Sequence, residues 1–154
     1  MLNIEIIPCL NDNYSYLIYD ESTNIVAIID PAEFHTCEKI IINKYNKLDY
    51  ILNTHHHLDH VGGNQKLKDR FKSKVLGFEL DKHRIPGIDI TLKEKQNFKI
   101  GNTSFEVIYI PGHTKGHIAF YSKDEKLVFS GDTLFSLGCG KIFEGTHDQM
   151  FKSL

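Results

Sequence analysis

Over the first thirty residues, apolar runs with the look of strands alternate with polar turns. IEIIP (4–8), YSYLIYD (14–20) and NIVAIID (24–30) are rich in β-branched and aromatic residues, and NDN and ESTN separate them, which is the pattern of short strands. From Glu33 to Lys47 the apolar positions Ile40, Ile41 and Tyr45 recur at helical spacing and predict an amphipathic helix. DYILN (49–53) reads as a buried strand that runs into the polar cluster THHHLDH, and a helix is expected from about Val61 to Lys72. KVLGF, DITL, NFKIG, TSFEVIYI, HIAFYS and KLVFS read as further strands, and HDQMFKSL as the start of a helix. Strands with helices inserted between them predict an α/β layered sandwich. No repeat, linker or low-complexity tract divides the chain, so residues 1–154 are expected to form one domain.

Composition narrows the class. With 154 residues, 41% hydrophobic and 25% charged, one domain can bury a sizeable core. No apolar run approaches the roughly 18 residues of a membrane span. The N-terminal MLNIEIIPCLNDNY lacks a basic stretch followed by an apolar one, so no secretory signal is read and a cytoplasmic protein is expected. Net charge is −2 and dispersed, without the basic stripe that nucleic-acid binding requires. The basic segment KLKDRFKSK (66–74) fits a solvated helix face, one able to attract a small anionic substrate from a distance. Three widely spaced cysteines, Cys9, Cys37 and Cys139, argue for a reducing compartment and against a disulfide framework. Nothing in the sequence sets the oligomeric state.

Histidine changes the picture. Of nine, four fall within His55–His60. At a strand end His55 and His57 can point to one side, with Asp59 and His60 turned toward an adjacent point. Imidazole nitrogens and carboxylate oxygens suit Zn²⁺ or a similar divalent ion, Fe and Mn included. The spacing also allows two ions, one at His55 and His57 and one at Asp59 and His60. His113, in PGHT, and Asp132, in SGDT, each follow a strand-like run, and the two oxygens of Asp132 could bridge both ions. His56 should face away from the ligands. His117 fits a supporting role that orients the site, and His35, His83 and His147 read as surface residues.

THHHLDH, PGHT and SGDT together resemble the metallo-β-lactamase superfamily, over nearly the whole chain from Leu2 onward. The resemblance implies an αββα sandwich. It places His55, His57 and His113 on a first metal and Asp59 and His60 on a second, with Asp132 between them. LNDNYSYLIYD, AIIDPAE and the run GDTLF…GCGKIFEGT are similar to glyoxalase II, the hydroxyacylglutathione hydrolases. That likeness implies two Zn²⁺ per chain and hydrolysis of S-D-lactoylglutathione to D-lactate and glutathione, the second step of methylglyoxal detoxification. A water between two cations ionises near neutral pH. The resulting hydroxide, oriented by Asp59 and Asp132, would attack the thioester carbonyl. Lys141 would pair with a glutathione carboxylate and Phe143 would pack beside the peptide. No Ser nucleophile in a G-x-S-x-G elbow is present.

The family continues beyond the equivalent of Leu154, through strands carrying a C-G-H-E-Y segment and then a helical domain. The expectation is therefore a shortened hydrolase, lacking the last strands and the helical domain, with a weakened second metal and reduced or absent activity. The alternatives are an inactive metal-binding remnant of such an enzyme and a mononuclear-iron persulfide dioxygenase.

Overall fold

The computed structural model describes residues 2–154. β1 (Leu2–Cys9), β2 (Asn13–Asp20) and β3 (Ile25–Ile29) form an antiparallel meander joined by short turns. After β3 the chain must cross over to pair in parallel, and α-helices make the first two crossings. α1 (Phe34–Lys44) leads to β4 (Tyr50–Leu52), and α2 (Leu58–Val61) with α3 (Asn64–Phe71) leads to β5 (Lys74–Phe78). With β6 (Ile88–Leu92) these complete a six-stranded sheet of order β1-β2-β3-β4-β5-β6, parallel from β3 to β6. A short 3-10 turn and loop make the third crossing, from β5 to β6. β7 (Asn97–Ile100), β8 (Thr103–Tyr109), β9 (Ile118–Ser122) and β10 (Leu127–Phe129) form a second, wholly antiparallel sheet of order β10-β9-β8-β7. α4 (His147–Ser153) closes the described chain.

The alternation along β3 explains the layering. Val26 and Ile28 join Cys37, Ile41 and Leu67 in a core between the larger sheet and α1 and α3. Ala27 and Ile29 face the other way and join Leu52, Leu76, Phe105 and Phe120 in a core between the two sheets. Successive side chains on a strand point to opposite faces, so a strand covered on both sides reads as a continuous apolar run. α4 docks at the end of β8, where the Ser153 hydroxyl donates to the Pro111 carbonyl at 2.8 Å. It is started by a capping box in which Thr146 and Gln149 bond each other's backbone N–H.

The helix expected from about Val61 to Lys72 is α3, over Asn64–Phe71, and a separate short helix, α2, precedes it. α2 begins earlier, at Leu58, and the chain turns at Gly62-Gly63 before α3. A Cβ on Gly62 would lie 2.4 Å from the Ala32 carbonyl oxygen, and Gly63 N–H donates to the Pro31 carbonyl at 2.8 Å. The break lets the chain press against the loop after β3. α1 is shorter than expected, ending at Lys44.

The strands also aim the polar loops. Asp30 follows β3, His55 and His57 follow β4, His113 follows β8 and Asp132 follows β10, so residues beyond the C-terminal ends of several strands gather at one rim of the sandwich. Loops held by a rigid scaffold are where binding and catalytic groups concentrate.

Candidate metal centre

The loop after β4 turns alternate histidines to opposite sides. The His55 ring lies 4.7 Å from that of His57 and 5.0 Å from that of His113, centroid to centroid. His56 faces away, its Nδ1 3.2 Å from Asp81 Oδ2. One ring nitrogen from each of His55, His57 and His113 can be chosen so that all lie within 4.8 Å of one another. His55 Nε2 is buried and has no hydrogen-bond partner, a costly arrangement for a polar atom unless something else binds it. His113 Nδ1 donates to the Lys141 carbonyl at 2.6 Å, which leaves Nε2 as the free lone pair, 2.9 Å from His57 Nδ1. An unpartnered buried nitrogen, a lone pair and a third imidazole converging on one point fit a divalent cation.

Asp132 sits between two clusters. Its Oδ2 is 3.4 Å from His113 Nε2 and its Oδ1 is 3.2 Å from His60 Nε2. Asp59 lies on the His60 side, its Oδ2 3.8 Å from His60 Nε2 and accepting from Asn13 Nδ2 at 3.0 Å. A cleft of about 640 Å³ opens beside these groups, lined in part by Asn13, Tyr16, Asp59, His60, Asp132 and Phe135. All six residues expected to bind metal therefore lie together at this rim.

The electrostatics follow from burial and pairing. Burial, reinforced by the neighbouring imidazoles, holds His55 well below the ordinary histidine value, and His57 is lowered for the same reasons. Both shifts favour the neutral ring, the form in which an imidazole binds a metal. Burial opposes charge on His60 too, but bonds to Asp132 and Asp30 outweigh it and push its pKa up to about 10. Burial raises Asp132, yet the hydrogen bond and charge of His60 leave it lowered overall. His117, brought down to about 3 by burial, accepts from Asp132 N–H through Nε2 at 3.1 Å. It thus touches the backbone of a candidate ligand.

Asp30 was not singled out among the sequence candidates. One oxygen accepts from Thr54 N–H at 2.8 Å, the other from the Thr54 hydroxyl at 2.6 Å, and the second also faces His60 Nδ1 at 3.1 Å. Asp30, His55 and His60 also form a cluster of cation-binding type. With both oxygens engaged by the Thr54–His60 segment, Asp30 is better placed to orient His60, turning its Nε2 toward Asp59 and Asp132. Its signal in the sequence is slight, an aspartate directly after a strand in AIIDPAE. Its backbone φ of 49° marks a residue held in an unusual conformation, as at many functional sites.

Phe143 stands over the centre, 58% exposed, with its ring centroid 5.3 Å from those of both His57 and His113. The Lys141 ammonium lies 5.0 Å from the Phe143 ring centre. His35, His83 and His147 are exposed and take no part.

The sequence profile of the metallo-beta-lactamase superfamily matches residues 11–153. The hydroxyacylglutathione hydrolase of Pelagibacter ubique (strain HTCC1062) is 54% identical over 153 residues, which cover 99% of this chain and 64% of that protein. The chain thus spans under two thirds of the length of that relative. Among solved structures, the BLEG-1 B3 metallo-beta-lactamase superposes with a TM-score of 0.88 at 25% identity, covering 98% of this chain and 83% of that one. ETHE1 from Myxococcus xanthus gives 0.85 at 25% identity, covering 98% and 67%. The double-sheet scaffold, the histidine–aspartate rim and the match across nearly the whole sequence lead to one assignment: this chain belongs to the metallo-beta-lactamase superfamily.

Proposed function

We propose that the chain carries the metal centre of a thioester hydrolase acting on S-(2-hydroxyacyl)glutathione, with S-D-lactoylglutathione as substrate and D-lactate and glutathione as products. The observation that carries this reading is the 54% identity to a hydroxyacylglutathione hydrolase over 99% of the chain, in a fold whose rim gathers the required ligand types.

In this reading His55, His57, His113 and Asp132 would hold one Zn²⁺, and Asp59, His60 and Asp132 would hold a second. The orientation of Asp132, one oxygen toward each histidine cluster, supports a bridging role. Divalent ions there would supply Lewis-acid activation of water and of the thioester carbonyl. The chain's own groups set the stage for that chemistry. Asp59, held by Asn13, and Asp132 line the cleft where the nucleophile must be oriented. Phe143 offers an apolar wall for the peptide part of the substrate, and the ammonium of Lys141 stands beside it to pair with a glutathione carboxylate. The leaving thiolate needs little help, since a thiol of pKa about 8.5 is a good leaving group at neutral pH.

The test is hydrolysis of S-D-lactoylglutathione by the purified 154-residue chain with Zn²⁺, beside the His55→Ala variant. Turnover that the variant abolishes supports the reading. A folded, zinc-binding chain without turnover would favour a metal-binding remnant. Iron-dependent oxygen uptake with glutathione persulfide would instead select the dioxygenase alternative.

A further inference from the structure

On the side of the ligand loop away from the centre, four polar side chains from three segments interlock. Asp81 ends a short 3-10 turn, Glu79–Asp81, and is fully buried. Arg84 donates to its Oδ1 through Nε at 3.1 Å and through Nη2 at 2.5 Å. The guanidinium also reaches Glu144 Oε1 through Nη1 at 2.5 Å and lies 3.2 Å from His56 Nε2. His56 Nδ1 is 3.2 Å from Asp81 Oδ2. A carboxylate can only accept and a guanidinium can only donate. The His56 tautomer with its proton on Nδ1 satisfies both neighbours at once.

Each member is tied to a different functional segment. His56 lies between His55 and His57, so anchoring its ring fixes the peptide from which both neighbours project the other way. Glu144 Oε2 accepts from Lys115 N–H at 2.8 Å, and Phe143 and Glu144 both direct their N–H groups to the His113 carbonyl, at 3.1 and 3.4 Å. Gly116 passes so close to Asp81 that a Cβ there would sit 2.0 Å from its carboxylate. The Arg84 side chain is 34% exposed and that of Asp81 not at all. A buried carboxylate of this kind depends on its partner, and an arginine fork can serve two carboxylates and an imidazole where a lysine cannot.

We propose that the Asp81–Arg84–Glu144 ion-pair chain, closed by His56, is a clamp that sets the relative positions of the His55–His57 loop, the His113 loop and the 141–144 segment, with Arg84 as its positioning residue. The inference rests on the metal-centre reading above and extends it to groups that touch neither metal nor substrate. Supporting residues around a metal site typically tune affinity by about 10–100-fold.

The test is Zn²⁺ affinity of the full chain, by competition with a chromophoric chelator, together with the visible absorption spectrum of the Co²⁺-loaded chain. Arg84→Met is expected to weaken Zn²⁺ binding about 10–100-fold and to alter the Co²⁺ spectrum. Arg84→Lys should recover part of the loss. A folded Arg84→Met chain with the parent's affinity and spectrum overturns the clamp, even if its metal-free melting temperature has dropped. Should Arg84→Met fail to fold, Glu144→Gln carries the test, because it spares the buried Asp81–Arg84 pair while weakening the link to the His113 loop. Unchanged affinity and spectrum in that variant overturn the proposal equally. His57→Ala separates the two readings. If it abolishes binding while the clamp variants bind normally, the clamp alone falls. If the parent itself binds no Zn²⁺, the metal-centre reading falls and takes the clamp with it.

Discussion

Among single residues, Asp30 and the cysteines show how position decides role. Asp30 meets Thr54 twice and His60 once, so replacing its charge should act on the candidate ligand His60 at one remove. Asp30→Asn is expected to keep the fold but lower metal affinity by about 10–100-fold, read by chelator competition; affinity equal to the parent would exclude an orienting role. Cys9 and Cys37 are buried with sulfurs 3.8 Å apart, whereas Cys139 is exposed. Thiol reagent added to the native chain should therefore consume one equivalent rapidly and the other two only on unfolding. Rapid loss of all three would mean that the β1–α1 contact opens readily.

Turns and caps join the elements into one body, and Asp20 is one such joint. From the last position of β2 it accepts from Ser22 N–H and the Ser22 hydroxyl in the following turn, and across the sandwich from Asn102 N–H in the turn between β7 and β8. The Ser22 hydroxyl and the Asn102 N–H hold its carboxyl at about 2, below the ordinary 3.8. The folded state thus binds this proton more weakly than the unfolded chain does. Its contribution to stability is complete above the ordinary carboxylate value and disappears as the pH falls through 2. Asp20→Asn should cost about 1–3 kcal/mol near neutrality, with the gap to the parent closing between pH 3.8 and 2. Urea midpoints against pH measure this; a gap independent of pH would show that charge is not the cause. At the end of the chain, Thr146→Ala should cost about 1 kcal/mol through loss of the α4 cap. An unchanged melting temperature would show that α4 frays outside the cooperative unit.

For the molecule as a whole, the expected consequence of a metal centre joining loops from both sheets is linkage between binding and folding. An ion that binds only the native state adds about 2.7 kcal/mol at a hundredfold excess over its Kd. Zn²⁺ should therefore raise the melting temperature of the parent chain and leave that of His55→Ala nearly unchanged. An equal rise in both would place the ion elsewhere.

Much of this organisation was legible in the residues themselves. The runs rich in β-branched and aromatic residues, set off by polar turns, marked the strands because such side chains fit a pleated, buried surface. The density of His and Asp between Thr54 and His60, with PGHT and SGDT downstream, marked the ligand candidates because few other uses explain such clustering. Less could be read where the outcome depended on segments far apart in sequence. The break between α2 and α3 at Gly62 is imposed by the Ala32 carbonyl, thirty residues earlier, and helical periodicity carries no trace of that contact. Asp30 and Asn13 are ordinary polar residues until folding brings them to His60 and Asp59. His56 could be set apart from its neighbours by alternation alone, but its partners come from two distant stretches, the Asp81–Arg84 turn and Glu144, that only the packed sandwich brings to it. The sequence by itself determined which elements form and which side chains could bind a cation, since both follow from local chemistry. The tertiary structure alone decided which of those side chains meet, how each imidazole is turned and what holds it there, because hydrogen bonds and ion pairs form between surfaces that only folding brings within a few ångströms.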